Sequence, residues 1–258
     1  MPFDPTAFRH HPGLQGKIRD PEESFFRHMT PAMMEERMAA HGVKPMCRYP
    51  DDLREEMRRK ALAPYAGQDI WIFGYGSLMW DPAIYFSEVR RARLCGYHRS
   101  FCLVDRSGGR GTEAAPGAMA GLGKGGTCEG LVFRIPAARA EVETEVIWRR
   151  EMIAPCYDAV FAPVETAHGT VDALCFVADP EADMIDIDLP HADRVRYLAT
   201  GTGLLGTSRE YLENTIAGCR ELGIEDPDLD ALLAEVEAWP APVQGPAGRL
   251  LQGECPEG

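Results

Sequence analysis

The chain has 258 residues, 45% of them hydrophobic, which is enough to bury the core of one domain with an extension or of two small domains. The formal net charge of −13 makes nucleic acid and anionic membranes poor partners, because the field of the protein repels polyphosphates. The N-terminus has no basic start followed by an apolar run, and no apolar stretch approaches membrane-spanning length, so we expect a cytoplasmic protein without a membrane partner.

Residues 1–68 are rich in Met, Pro and charge and form a predicted N-terminal extension. Helices are predicted within it over 31–41 and over 51–62. The second helix has one apolar stripe, formed by Leu53, Met57 and Ala61. No catalytic motif is found in the extension.

Residues 69–178 carry mainly strand-like patterns, in which apolar and polar residues alternate. The predicted strands are 69–74, 93–104, 128–135, 157–164 and 170–178. One predicted helix interrupts them at 137–152. Residues 107–127, SGGRGTEAAPGAMAGLGKGGT, are rich in glycine and long enough for a mobile loop, which we interpret either as a lid over a site or as a tolerated surface loop.

The last part of the chain is predicted to be helical, over 190–200, 208–222 and 227–238. Residues 201–206 match the dinucleotide-binding pattern G-x-G-x-x-G, but that pattern must follow a strand, whereas here it follows a helix. We interpret these glycines as a helix C-terminal cap and loop, with Thr207 and Glu210 forming a capping box for the next helix. No nucleotide site is therefore predicted.

The eight cysteines are scattered singly, with no Cys-x-x-Cys pair, which predicts reduced and mostly buried thiols. Cys95, His98 and Cys102 come nearest to a metal-binding pattern. In a strand, however, Cys95 points away from the other two, which leaves too few ligands for a structural zinc. We therefore expect no metal and no other cofactor.

The most informative motif lies in residues 69–80, DIWIFGYGSLMW, where an apolar strand runs into Tyr75-Gly76-Ser77-Leu78. Its glycines let a ligand approach the main chain closely, so that successive N–H groups can point at one anion or carbonyl oxygen. The motif therefore predicts either an oxygen-binding loop or a plain turn between two strands.

A second block, Trp148-Arg149-Arg150-Glu151-Met152, lies late in a predicted helix and offers one carboxylate among cations. In this order, the two blocks resemble those of the ChaC-type gamma-glutamylcyclotransferases. Further matching segments are Gly96-Tyr97-His98-Arg99 with Phe101-Cys102, Arg110-Gly111 with Pro116-Gly117, Gly125-Gly126, Gly130, Leu205-Gly206-Thr207 and Tyr211-Leu212. The resemblance covers roughly residues 70–235.

The resemblance implies an α+β fold over residues 69–240, in which helices surround a small mixed β-barrel. Residues 1–68 would then form a partly helical extension, and residues 241–258 a tail. It also implies a cofactor-free, lyase-type enzyme whose partner is a small peptide, glutathione. In that reaction the α-amine of the substrate attacks the γ-carbonyl of the same molecule. The products are 5-oxoproline and cysteinyl-glycine.

The resemblance and the chemistry of the side chains also imply roles for individual residues. Glu151 is the expected catalytic residue, because one carboxylate can take a proton from the α-amine and return it to the leaving amine. The expected substrate-binding residues are Tyr75, Gly76, Ser77, Leu78, Arg110 and Tyr211. Main-chain amides of the first four would bind a substrate oxygen, and the Arg110 guanidinium would grip the terminal carboxylate of glutathione.

Two other functions fit the same residues. The chain could be a catalytically silent γ-glutamyl-binding or partner-binding module of the same fold, although the presence of Glu151 argues against it. It could also be a serine hydrolase that uses Ser77 with a histidine as base, although Tyr75 and Met79 replace the glycines of the pattern G-x-S-x-G. The candidate histidines are His98, His168 and His191.

Overall fold

The computed structural model describes residues 3–40 and 47–240, so the predicted tail at 241–258 lies outside the described residues. The helices are α1 (Phe25–His28), α2 (Pro31–Ala40), α3 (Asp51–Leu62), α4 (Ala140–Glu151), α5 (His191–Thr200), α6 (Ser208–Glu221) and α7 (Pro227–Glu237). The strands are β1 (Ile70–Gly74), β2 (Glu88–Ser107), β3 (Thr112–Ile135), β4 (Tyr157–Thr166), β5 (Gly169–Ala178), β6 (Thr202–Gly203) and β7 (Gly206–Thr207). Among the described helices, none combines the length and the apolar character that crossing a membrane requires.

Strands β1 to β5 close into a barrel in the order β1-β3-β2-β4-β5. Neighbouring strands are antiparallel except β1 and β5, whose parallel pairing aligns Ile72 with Leu174 and closes the barrel. Because side chains alternate between the two faces of a strand, each strand sends apolar residues into the closed interior. Ile72, Phe133 and Leu174 are completely buried. The predicted α+β barrel with surrounding helices is confirmed.

The glycine-rich segment 107–127 forms strand rather than the mobile loop that its composition suggests. Strands β2 and β3 pair along almost their whole length, and only the short turn at 108–111 separates them. A Cβ on Gly117 would overlap the carbonyl oxygen of Arg110 and the hydroxyl of Ser208. The lid prediction was therefore wrong, because glycine is needed here for close packing of the main chain rather than for flexibility.

The predicted helices are present with nearly the predicted bounds, and α3 buries two arginines in addition to part of its apolar stripe. Leu53 is 42% exposed, whereas Arg54 and Arg58 are buried. Arg58 donates to Glu55 at 2.7 Å and to the hydroxyl of Thr144 in α4 at 2.9 Å. The predicted apolar stripe is present in part, because Met57 and Ala61 pack on the core whereas Leu53 does not. Arg58 is buried beside it because α4 offers polar partners for its guanidinium.

The glycine-rich segment after α5 is a connection between two helices. Helix α5 ends before Gly201, and the short β6–β7 hairpin leads into α6. The side chain of Thr207 accepts a hydrogen bond from the N–H of Glu210 at 3.0 Å. The predicted N-terminal cap of α6 is therefore confirmed.

A fully buried carboxylate joins the extension to the barrel. Glu88 begins β2, and its carboxylate pairs with Arg9 and His10 of the extension and with Arg90 and Arg134 of the barrel. Burial alone would raise the pKa of Glu88, but the hydrogen bonds and charges of Arg90 and Arg9 lower it to about 2. Because a buried charge must be paired, this cluster fixes the first part of the chain on the barrel.

A second group of contacts places the extension beside the loop that follows β1. Arg27 of α1 donates to the carboxylate of Glu143 in α4 at 2.8 Å and to the carbonyl oxygen of Ala83 at 3.1 Å. The N–H of Arg19 donates to the carbonyl oxygen of Trp80 at 2.8 Å. The extension is thus held against both α4 and the loop after β1.

We expect Glu88→Gln to lower the free energy of unfolding at pH 7 by about 3 kcal/mol, because the substitution leaves the paired cations without their counter-charge. Chemical denaturation measures this change. Glu165→Gln, at an exposed position of β4, is the matched control and should change the value by under ~0.5 kcal/mol.

The contribution of Glu88 to the free energy of unfolding should also depend on pH. Its folded-state pKa of about 2 lies below the ordinary 4.5, so its stabilisation is complete above about pH 4.5 and is lost as the pH falls towards 2. Equal stability losses in the two variants at pH 7 would contradict the role of this cluster.

Candidate active site

The loop after β1 is built around a glycine that lies against a tyrosine. Strand β1 ends at Gly74, and after Tyr75 and Gly76 the chain makes one 3-10 turn that begins at Ser77. A Cβ on Gly76 would overlap the hydroxyl oxygen of Tyr211, so glycine allows the two residues to meet. The main-chain N–H of Ser77 opposes the rise that burial causes in the pKa of Tyr211. The main chain of this loop therefore lies directly against the Tyr211 hydroxyl group.

The side chains of Tyr75 and Leu78 hold this loop on the barrel. Tyr75 is 6% exposed, and its hydroxyl donates to the carbonyl oxygen of Phe176 in β5 at 3.2 Å. Leu78 is buried in the main hydrophobic core. The loop is therefore anchored on both sides of Gly76, which restricts the movement of its main-chain N–H groups.

The guanidinium of Arg150 connects the end of α4 to the same loop. Its Nη2 donates to Ser77 Oγ at 2.7 Å, its Nη1 donates to the carbonyl oxygen of Asp81, and its Nε lies 3.0 Å from Oε1 of Glu151. The ring of Phe26, in α1, covers this guanidinium, with 4.0 Å between the guanidinium carbon and the ring centroid. One buried cation therefore positions the loop, the carboxylate and the extension together.

Glu151 is the last residue of α4, and its side chain is 15% exposed. Burial raises the pKa of its carboxyl group, and the charge of Arg150 opposes this shift. Burial also raises the pKa of Tyr75 and Tyr211, with the nearby charge of Glu151 as the next cause. A carboxyl group with a raised pKa can accept a proton and release it again closer to neutral pH than an ordinary glutamate.

Arg110 lies in the turn between β2 and β3 and contacts Tyr211. Its guanidinium carbon lies 5.2 Å from the centroid of the Tyr211 ring, and its Nη1 donates to the carbonyl oxygen of Thr207 at 2.8 Å. Its main-chain N–H donates to the carboxylate of Asp105. Burial lowers the pKa of Arg110, but an arginine begins so far above neutrality that the cation persists. This cation is oriented and suited to binding a carboxylate.

The predicted site residues line one cavity of about 330 Å³. They are Tyr75, Gly76, Ser77, Leu78, Arg110, Glu151 and Tyr211. Tyr157, at the start of β4, lines the cavity as well. The extension also contributes Arg19, Phe26, Met29, Met34 and Met38. The sequence carries no local signal for this last group, because their position depends on contacts with distant segments.

Ser77 has a cation as its hydrogen-bonding partner rather than a base. Its Oγ accepts a hydrogen bond from Arg150, which cannot take a proton. The candidate histidines have other partners. His98 bonds to the carbonyl oxygen of Gly125 at 3.1 Å and His191 to Glu235 at 2.8 Å, and the ring of His168 packs at a tilt on the ring of His10, with 3.8 Å between the centroids. The described residues therefore give no support to a serine hydrolase.

The cysteines of the described part of the chain are free thiols, and most of them are buried, as predicted. One of them, Cys156, lines the cavity. Burial and then the charge of Glu151 raise the pKa of this thiol to about 12. Within residues 3–40 and 47–240, no group of three or more His, Cys, Asp or Glu side chains is arranged to hold a metal ion.

Comparison with known proteins relates the chain to one family. A sequence model of the ChaC-like proteins matches residues 70–239. The chain is 38% identical over 169 residues to the glutathione-specific gamma-glutamylcyclotransferase of Escherichia coli K12, across 65% of this chain and 73% of that protein. It is 29% identical over 150 residues to glutathione-specific gamma-glutamylcyclotransferase 1 of Mus musculus, across 56% of this chain and 67% of that protein.

A solved structure supports the fold. The gamma-glutamyl cyclotransferase specific to glutathione from yeast superposes with a TM-score of 0.59 at 20% identity, over 67% of this chain and 99% of that one. The family match begins at residue 70, so the extension that lines part of the cavity lies outside it.

We expect Gly76→Ala to lower the free energy of unfolding by about 1–3 kcal/mol, because the new methyl group overlaps the Tyr211 hydroxyl. Tyr211→Phe removes that oxygen, and the next ring atom lies 3.5 Å from the new position. Gly76→Ala should therefore have little further effect in the Tyr211→Phe background. Chemical denaturation of both single variants and the double variant measures the coupling.

Gly13→Ala is the control, because a Cβ there meets nothing within 4 Å. Strictly additive effects of Gly76→Ala and Tyr211→Phe would contradict the close contact between the loop and Tyr211.

Proposed function

Because the chain belongs to the ChaC-like protein family, we propose that it is a gamma-glutamylcyclotransferase that degrades glutathione to 5-oxoproline and cysteinyl-glycine. The observation that carries the proposal is the buried carboxylate of Glu151, in one cavity with the loop of residues 75–78. The relatives named above support glutathione as the substrate, and the geometry provides the groups that the reaction needs.

The reaction is an intramolecular ring closure. The nitrogen of the substrate's α-amine forms a bond to the γ-carbonyl carbon, the γ-amide C–N bond breaks, and the proton lost by the α-amine ends on the leaving amine. The atoms balance without water or an external nucleophile. The protein must therefore hold the γ-glutamyl group in a folded conformation and move a proton.

Glu151 moves this proton in our proposal. As a carboxylate it accepts the proton of the attacking amine, and as a carboxylic acid it donates it to the nitrogen of the departing cysteinyl-glycine. Burial makes the neutral form easier to reach, whereas the ion pair with Arg150 keeps the charged form accessible. Both steps can then use one side chain.

Tyr211 supplies a hydrogen bond to the substrate. Its side chain lines the cavity beside Gly76, so its hydroxyl proton can reach an acceptor bound there. We assign to this proton the stabilisation of the negative charge that develops on the γ-carbonyl oxygen. The loop of residues 75–78 therefore acts in part by orienting Tyr211.

Arg110 binds the terminal carboxylate of glutathione. A guanidinium presents parallel N–H donors that match the two oxygens of a carboxylate. Its hydrogen bond to Thr207 and its position over the Tyr211 ring orient these donors at the cavity. This contact is the one that separates glutathione from shorter γ-glutamyl compounds.

Incubation of the purified protein with glutathione should yield 5-oxoproline and cysteinyl-glycine in equal amounts. Glu151→Gln keeps the shape of the side chain but removes its basicity, so we expect kcat to fall ~10²- to 10⁴-fold with the fold intact by circular dichroism. Glu145→Gln, at an exposed position of the same helix, is the control and should keep the wild-type rate. A near-normal rate for Glu151→Gln would refute its role, and absence of 5-oxoproline from the wild type would refute the function.

The pH dependence of kcat/KM gives a second readout of the same assignment. The carboxylate must be charged to accept a proton, so kcat/KM should fall as the pH drops through the pKa of Glu151. Because burial raises this pKa above 4.5, the midpoint should lie above pH 4.5. A midpoint below pH 4.5 would contradict Glu151 as the base.

We expect Arg110→Ala to lower kcat/KM for glutathione about 30-fold, because the terminal carboxylate loses a partly buried cation. The fall for γ-glutamyl-alanine should be much smaller, since the carboxylate of this dipeptide lies closer to the γ-glutamyl group. Steady-state kinetics with both substrates measure the difference, and Arg106→Ala, at an exposed position of β2, is the control. Equal falls in kcat/KM for the two substrates would show that Arg110 does not bind the terminal carboxylate of glutathione.

A further inference from the structure

Five methionine side chains line the active-site cavity, and three of them come from the extension. Helix α2 contributes Met34 and Met38, which lie one helical turn apart, and Met29 lies just before this helix. Met119 of β3 and Met184, between β5 and α5, also line the cavity. We call these five residues the methionine wall.

The contacts proposed above for glutathione do not use the methionine wall. They place the γ-glutamyl group at the loop of residues 75–78 and Glu151, and the terminal carboxylate at Arg110. The cysteine side chain between these two ends is a single CH₂–SH group, which is too short to contact five methionine side chains. Met29 and Met38 are almost completely buried, so the apolar surface that this short side chain leaves uncovered belongs to Met34, Met119 and Met184, which are partly exposed.

Methionine is suited to binding apolar groups of variable shape. Its side chain is unbranched and flexible, and its polarizable sulfur packs well against both aliphatic and aromatic groups. A cavity with a few polar anchors and a large apolar lining is typical of sites that bind small molecules with an apolar part. The apolar part must here belong to a molecule that also carries a γ-glutamyl group.

We propose, on the basis of the cyclotransferase function above, that the enzyme also degrades glutathione conjugates whose sulfur carries an apolar alkyl or aryl group, with this group packed on the methionine wall. The α-amine nitrogen bonds to the γ-carbonyl carbon, the γ-amide C–N bond breaks, and Glu151 passes the proton to the leaving amine. The products are 5-oxoproline and the S-substituted cysteinyl-glycine. The sulfur takes no part in the bond changes, so its substituent acts on binding.

A series of S-methyl, S-butyl and S-hexyl glutathione tests the methionine wall, with 5-oxoproline as the common product. We expect kcat/KM to rise at least ~10-fold from the S-methyl to the S-hexyl compound, because each buried CH₂ adds to binding. If glutathione is converted but kcat/KM stays constant or falls from the S-methyl to the S-hexyl compound, the inference is overturned and the proposed function stands. If neither glutathione nor any conjugate yields 5-oxoproline, both are overturned.

Met34→Asn and Met33→Asn form a matched pair in α2. Met34 lines the cavity, whereas Met33 is 41% exposed and belongs to no part of the wall. We expect Met34→Asn to lower the ratio of kcat/KM for S-hexyl glutathione to kcat/KM for glutathione about 10-fold, and Met33→Asn to leave this ratio unchanged. An unchanged ratio in Met34→Asn overturns the role of the wall. If circular dichroism shows that Met34→Asn is unfolded, Met184→Asn replaces it in the same comparison.

Discussion

The candidate active site depends on the hydrogen bonds of one buried cation. The guanidinium of Arg150 bonds to the loop after β1, lies beside the carboxylate of Glu151 and is covered by the ring of Phe26 from the extension. A guanidinium presents its donors in fixed directions, and burial requires that they find partners. Arg150 therefore brings three segments that are distant in sequence to one point, and the barrel supports that arrangement.

The same cation balances the two protonation states of Glu151. Burial favours the neutral carboxyl group, whereas the charge of Arg150 favours the carboxylate. A group that must accept and then release a proton in each turnover works best when neither state is strongly favoured. In the proposed reaction, Tyr211 complements this balance, because its hydroxyl group is a hydrogen-bond donor that adds no second charge.

Local features of the site were predictable from the sequence, whereas its long-range contacts were not. The turn at residues 75–78, the helix that ends at Glu151 and the cap at Thr207 follow short-range rules for glycine, apolar periodicity and capping. The glycine-rich composition of residues 107–127 led to the wrong prediction of a mobile loop, because glycine permits close packing as well as flexibility. The burial of Arg58 and the lining of the cavity by the extension arise from the packing of distant segments. Local patterns in a single sequence do not reveal such packing. The roles of individual site residues came from the family resemblance.

The Cys156 thiol lines the cavity, and its burial makes it a poor nucleophile. Thiol–disulfide exchange requires a thiolate, and a thiol with a pKa of about 12, such as that of Cys156, is almost fully protonated at neutral pH. The burial that shapes the site therefore also protects it from forming a mixed disulfide through this residue. For an enzyme with a thiol-containing peptide as substrate, this slow exchange favours a cavity in which Cys156 stays a free thiol.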